Sequence, residues 1–242
     1  MKTIGNKARE KISVILPVYN ERGNIVPLVE AVGRLLQDRE HEIVIVDDHS
    51  CDGTFEAARC VSCGSVRVFS SQKRLGLAVS IRHGLIFAEG ESVVIMDSDF
   101  NHKPEYLPFM IDALSDHDCV IASRFLPGGS MDNRLRYCLS ALFNFFLRRF
   151  TPLKVSDSLY GFLAVKKSIL ENFCYDDIFY GHGDYCMRLL CCLQSINARF
   201  FEFPAVSGRR RSGRRKMNFV TMMWRYVSAA CALNKKVEPA RA

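Results

Sequence analysis

Four apolar runs, each released into a polar loop and each separated from the next by a helical stretch, constrain this chain more than any other feature of its sequence. Residues 11–17, Lys-Ile-Ser-Val-Ile-Leu-Pro, read as a buried strand stopped by a proline, and residues 24–36 carry helical spacing with Asn24 as the expected cap. Residues 41–46 form a second strand running into Asp47-Asp48. Asp52-Gly53-Thr54 turns into a helix through Ala58, and residues 66–69 form a third strand. A helix between Gly76 and Ala88 leads to a fourth strand at residues 92–96. Strands alternating with helices in this way give an α/β fold: a mostly parallel sheet flanked by helices on both faces. The later pattern is less regular, with strands expected at 119–122, 161–165 and 198–203 and helices at 133–150 and 184–194. A length of 242 residues, 48% of them hydrophobic, suits a single domain.

The C-terminal ends of parallel strands share one edge, and ligands bind there. Four loops fall at that edge: residues 17–21 (Pro-Val-Tyr-Asn-Glu), Asp47-Asp48, residues 73–76 (Lys-Arg-Leu-Gly) and Asp97-Ser98-Asp99. Two carboxylates released together after a buried strand suit Mg²⁺ or Mn²⁺, which takes one or two protein carboxylates and completes its shell with phosphate oxygens and water. The same pair also occurs as a solvated turn or a helix cap. The company of the other loops favours a nucleoside diphosphate. Tyr19 can stack on a base, Asp47 or Asp48 can accept from a base or ribose hydroxyl, and Arg74 can meet phosphate.

Lys and Arg outnumber Asp and Glu by 33 to 26, a net charge of +7. Much of the excess lies late, at Arg134, Arg136, Arg148, Arg149 and the run Arg209-Arg210-Arg211-Ser212-Gly213-Arg214-Arg215-Lys216, which points to an anionic partner. That run could be a solvated loop, a phosphate-binding loop or a nucleic-acid patch. The polar start shows no signal peptide, so a cytosolic protein is expected. Ten cysteines at no framework spacing are expected to be mostly small buried apolar residues, Cys60 and Cys63 included. Apolar stretches at 135–147 and 219–233 are interrupted by arginines too early to span a bilayer. His83 and His102 are expected at the surface or just behind the site. Asp184, before a helix, reads as a base or, preferably, a first-turn carboxylate, and Trp224 as a packing or interface anchor.

Taken together, residues 15–24 (Ile-Leu-Pro-Val-Tyr-Asn-Glu-Arg-Gly-Asn), 46–54 (Val-Asp-Asp-His-Ser-Cys-Asp-Gly-Thr), 96–104 (Met-Asp-Ser-Asp-Phe-Asn-His-Lys-Pro) and 122–125 (Ala-Ser-Arg-Phe) resemble the family 2 glycosyltransferases of the GT-A nucleotide-diphospho-sugar transferase fold. Val155-Ser156-Asp157, Gly161-Phe162 and residues 210–217 narrow the resemblance to the polyprenol-phosphate (dolichol-phosphate) mannosyltransferases. It implies a GT-A domain over 1–216 and a C-terminal amphipathic helix and tail over 217–242. It also implies nucleoside contacts from Pro17, Tyr19, Glu21 and Asp48, metal ligands Asp97 and Asp99 with Asn101 as a third, and phosphate grips from Arg124, Arg134, Arg210 and Lys216. Tyr160 stands where such enzymes usually carry a small residue, and Arg215 replaces a common Ser.

The resemblance therefore implies an inverting, metal-dependent hexosyltransferase that uses Mg²⁺ or Mn²⁺. Its donor would be a nucleotide sugar, GDP-mannose before UDP-glucose, and its acceptor a polyprenyl phosphate met at the cytosolic face of a membrane. Relatives without spans act with small membrane subunits or as self-sufficient peripheral enzymes. A helix over 135–150, with Leu135, Leu139, Leu142, Phe143 and Phe146 on one face and Arg148 and Arg149 at its end, is expected either in the core or in the membrane interface. The alternatives are a family 2 enzyme with a soluble acceptor, which would need a carboxylate base, and a nucleic-acid-binding protein; the resemblance disfavours nucleic acid.

Overall fold

The computed structural model describes residues 10–61, 65–208, 226–231 and 233. Seven strands form one sheet in the order β3-β2-β1-β4-β6-β5-β7. β1 (Ile12–Val18), β2 (His41–Asp47), β3 (Val66–Ser70) and β4 (Ser92–Ile95) run parallel, with Val14 level with Ile43 on one side and Val94 on the other. β1 is buried along its whole length, as its near-continuous apolar sequence requires of a central parallel strand covered on both faces. Between these strands lie α1 (Arg22–Leu35), α2 (Thr54–Arg59) and α3 (Leu77–Phe87). α3 packs so closely on β1 that a Cβ on Gly84 would meet Ile15 Cγ2 at 2.5 Å, so only glycine fits there.

Alternate side chains of the strands feed two cores. Val14, Leu16, Ile43 and Ile45 pack with Ile25, Leu28 and Val32 of α1 on one face; Ile15, Val44, Val46 and Ile95 pack with Ala78, Ile81 and Leu85 of α3 on the other. α1 begins two residues earlier than its spacing suggests. Glu21 occupies the cap position, and Asn24 lies buried in the first turn, its amide donating to Glu21 Oε2 at 2.5 Å.

Beyond β4 come α4 (Leu107–Ala113), β5 (Cys119–Ser123), α5 (Arg134–Phe150), β6 (Leu163–Lys166), the single turns α6 (Lys167–Leu170) and α7 (Tyr175–Ile178), α8 (Tyr185–Ser195) and β7 (Phe200–Pro204). β6 starts two residues later than expected and lies between β4 and β5, antiparallel to both. An antiparallel strand begins at the edge where its parallel neighbours end. The residues leading into β6 therefore join the same crevice as the loops that follow β1, β2 and β4.

Two expectations need correction. Of the described cysteines only Cys119 and Cys186 are buried, whereas Cys51, Cys60, Cys138, Cys174 and Cys231 are exposed. α5 is not a core helix: only Asn144 and Leu147 of its 17 residues are buried. Among the described residues no helix is long and apolar enough to cross a membrane. The run 209–216, with Arg210 and Lys216, lies outside the described residues, as do Cys63, Trp224 and most of 217–242.

Candidate active site

A cavity of about 420 Å³ opens at the C-terminal edge of the parallel strands. Pro17, Tyr19 and Glu21 line it from the loop after β1, Asp48 and Arg74 from the loops after β2 and β3, and Asp97, Asp99 and Asn101 from the loop after β4. Arg124 reaches it from the end of β5. Arg134 does not line it and is exposed; one turn's geometry instead turns Arg136, with Ser140 and Phe143, toward the cavity. Those three lie at spacings of four and three, one face of α5.

Three loops of the crevice hold a non-glycine residue in the left-handed region: Asn20 (φ 51°), His49 (φ 62°) and Phe100 (φ 65°). Such conformations persist where the surroundings impose them, and they gather at functional sites. At the first two loops the hydrogen bonds that impose them are visible. The Asn20 amide donates to Ser50 Oγ at 2.8 Å and the Cys51 amide to Asn20 Oδ1 at 3.0 Å, tying the loops after β1 and β2 together.

Asp48 is buried, and its carboxylate accepts from the Leu75 amide at 2.6 Å and the Gly76 amide at 2.9 Å. In this state it shapes the loop after β3, a contact that no motif encodes. That loop carries Arg74, whose guanidinium sits 4.0 Å from the centre of the Tyr19 ring and 4.0 Å from Asp48. A cation over an aromatic face and beside a carboxylate is a stable resting place for this arginine.

Asp97 and Asp99 flank Ser98, whose hydroxyl donates to the Pro17 carbonyl at 3.1 Å and pins this loop to the first one. Asp99 is mostly buried and accepts from the Asn101 amide at 2.9 Å, while the Asp97 side chain is 38% exposed toward the cavity. Among the described residues no three His, Cys, Asp or Glu side chains converge as a metal cluster. Two carboxylates beside a cavity sized for a nucleotide still fit Mg²⁺ or Mn²⁺, whose remaining positions belong to phosphate and water. Asn101, the expected third ligand, has its amide oxygen occupied by the Ser207 hydroxyl.

His102, expected at the surface or just behind the site, takes the second of these places and is fully buried. Its Nδ1 accepts the Asp97 amide at 2.8 Å, which leaves the proton on Nε2 to be donated to the Tyr160 carbonyl at 2.9 Å. Its ring stacks on Phe162 with centroids 4.8 Å apart. Burial pushes the Tyr160 phenol up, so its hydroxyl stays a donor.

Arg124 is buried and doubly bonded to Asp157, Nε to Oδ2 at 2.7 Å and Nη2 to Oδ1 at 2.9 Å. Asp157 has no solvent exposure, so each charge depends on the other. Asp184 is also locked: Oδ1 accepts from the His182 amide at 2.8 Å and Oδ2 from Arg188 at 2.5 Å. It does not line the cavity, in keeping with a first-turn carboxylate. His182, Leu159 and Tyr226 line the cavity without any sequence signal having marked them. The spacing that joins them is tertiary.

A parallel-sheet crevice with an Asp-x-Asp pair, an aromatic residue and arginines around one nucleotide-sized cavity defines a glycosyltransferase of the GT-A fold. Residues 13–174 match glycosyl transferase family 2, and the chain belongs to that family. It is 32% identical over 218 residues to a dolichol-phosphate mannosyltransferase of Pyrococcus furiosus, covering 88% of this chain and 60% of that protein. It is 31% identical over 221 residues to the polyprenol monophosphomannose synthase of Mycolicibacterium smegmatis, covering 86% of this chain and 82% of that one. Among solved structures, glucosyl-3-phosphoglycerate synthase of Mycobacterium tuberculosis with Mn²⁺, UDP and phosphoglyceric acid superposes with a TM-score of 0.74 at 20% identity, covering 94% of this chain and 80% of that one. At that identity the likeness shows the fold.

Proposed function

We propose that this enzyme transfers mannose from GDP-mannose to the phosphate of a polyprenol at a membrane surface, with inversion at the anomeric carbon. The observation that carries the reading is the state of Asp184. A hydroxyl acceptor needs a carboxylate to take its proton, and Asp184, the weaker of whose two sequence readings was that base, is bound by Arg188 and does not line the cavity. A phosphate monoester has its second pKa near about 6 and is already an anionic nucleophile at neutral pH. The relatives named for dolichol- and polyprenol-linked mannose support the same acceptor.

In this reading Tyr19 and Glu21 hold the nucleoside, and Arg74 leaves the Tyr19 face as the base arrives. Arg136 and Arg210 hold the acceptor phosphate close to a diphosphate that repels it, which is positioning rather than proton transfer. Arg124, neutralised by Asp157, fixes the wall of the cavity. A divalent cation held by Asp97 and Asp99 would supply neutralisation of the charge developing on the departing diphosphate.

The test is direct. Purified protein is incubated with Mn²⁺ or Mg²⁺, a polyprenyl phosphate, and labelled GDP-mannose or UDP-glucose, and label in the organic phase is counted. Organic-phase label from GDP-mannose is the expected result. Label from UDP-glucose alone would replace the donor, and label confined to a water-soluble product would replace the acceptor.

A further inference from the structure

Tyr160 holds the end of the loop that carries the two aspartates directly and its start through His102, and, building on the donor reading above, we propose that it is the positioning residue that sets the shape of residues 97–102. Its hydroxyl donates to the Asn101 carbonyl at 2.8 Å. Its own carbonyl accepts the Nε2 proton of His102 at 2.9 Å, and His102 Nδ1 in turn accepts the amide of Asp97. One residue thus holds the start of the loop through His102 and the end of it directly. The ring completes the clamp: its edge meets His102 with centroids 4.5 Å apart, and the Arg124 guanidinium lies 4.6 Å from its centre.

The loop needs a clamp. Phe100 sits inside it at φ 65°, a backbone state that a bulky residue keeps only under constraint. The Asn101 carbonyl has a second donor in the Gly208 amide at 2.8 Å, and the Asn101 amide oxygen accepts from Ser207. A Cβ on Gly208 would land on the Phe100 carbonyl, so the chain approaches there as only glycine can. Tyr160 from one side and Ser207-Gly208 from the other therefore grip Asn101, whose amide in turn donates to Asp99. Tyr160 also lines the cavity, and it acts on the aspartates through these neighbours.

Tyr160→Phe removes the hydroxyl and leaves both ring contacts. One ordinary hydrogen bond corresponds to about a fivefold change in what it holds. Hydrogen exchange at the amides of Asp97, Asn101 and Gly208 is expected to quicken about fivefold, with the β1 amides unchanged. Calorimetric binding of Mn²⁺ with GDP, or with UDP, is expected to weaken by a similar factor, while kcat at saturating metal and donor stays within about twofold of wild type. A merely structural role would quicken the β1 amides along with these three and would not separate binding from kcat. Ser207→Ala, which cuts the opposite tether, should shift the same readouts and keeps the test open if Tyr160→Phe folds poorly. Unchanged exchange at the three amides, or wild-type nucleotide binding in both variants, would overturn the inference. Wild-type protein that binds neither nucleotide would overturn the donor reading and this inference with it; wild-type binding that both variants leave intact would overturn the inference alone.

Discussion

Asp99 and Asp157 are both aspartates at the same crevice, and their surroundings give them opposite work. Asp99 borders the cavity and accepts from the loop amide of Asn101. Its loss removes half of the carboxylate pair that would face a diphosphate. Asp99→Ala should lower kcat at least a hundredfold with little change in unfolding temperature, because one lost metal-type stabilisation is worth several kcal/mol, roughly 3 or more. A rate above about a tenth of wild type in a single-turnover assay would contradict the assignment. Asp157 instead faces Arg124, with side-chain exposures of 0% and 8%. Removing it strands a buried guanidinium, so Asp157→Ala should cost about 3–5 kcal/mol in denaturant unfolding. A cost below about 1 kcal/mol would mean that water reaches Arg124 after all. The Asp-x-Asp pair was legible because both members lie in one short loop after one strand. The Arg124–Asp157 pair was not, because its members lie 33 residues apart and meet only when β5 and the lead into β6 are side by side.

At the scale of elements, the four parallel strands and their helices were readable because each is a local pattern. The position of Tyr160, Asp157 and Leu159 was not. It depends on β6 running antiparallel between β4 and β5, which no periodicity encodes. Which of its two expected places His102 takes was hidden for the same reason, since the ring that stacks on it, Phe162, stands 60 residues on and reaches it through the β4–β6 pairing. The opposite end of the sheet carries its own electrostatic joint. Asp118, just before β5, accepts from Arg199 Nη2 at 3.0 Å, Nε at 3.2 Å and the Arg199 amide at 2.9 Å, joining β5 to β7. The Arg199 guanidinium holds the Asp118 carboxyl well below the usual carboxylate range. A folded-state pKa below the unfolded one adds stability above the unfolded value of about 3.9, and that stability is lost as pH falls toward the folded value. Arg199 is largely exposed, and solvent screening keeps the effect modest. Asp118→Asn should therefore destabilise by about 1–2 kcal/mol at pH 7, and the difference from wild type should shrink below about pH 4. A difference that stays constant down to pH 3 would rule out the ion pair as its source.

At the scale of the whole molecule, α5 presents one face to the cavity and another to solvent. Arg136, Ser140 and Phe143 turn toward the cavity, while Leu135, Leu139, Leu142 and Phe146, also spaced by four and three, turn away from the protein with Phe145 and Phe150. Leu135 is 70% exposed, Leu142 65% and Phe145 63%. A stripe of this kind closed by Arg148 and Arg149 has the composition of a helix lying in a membrane interface, apolar side down and cations toward anionic head groups. If it lies so, a lipid phosphate reaches the cavity along the helix wall while the polyprenyl chain stays in the bilayer. Each large apolar side chain moved from water to lipid contributes about 1.5–3 kcal/mol when fully transferred. The pair Leu142→Ser and Phe145→Ser should then weaken co-sedimentation with anionic phospholipid vesicles by at least about tenfold. Transfer to a long polyprenyl phosphate embedded in those vesicles should fall in parallel, while transfer to a short water-soluble isoprenyl phosphate should keep its kcat/KM, because Arg136 and Phe143 on the inner face are untouched. A double variant that binds vesicles as wild type does would remove α5 from the membrane. Equal losses on both acceptors would place its apolar residues in the cavity wall instead.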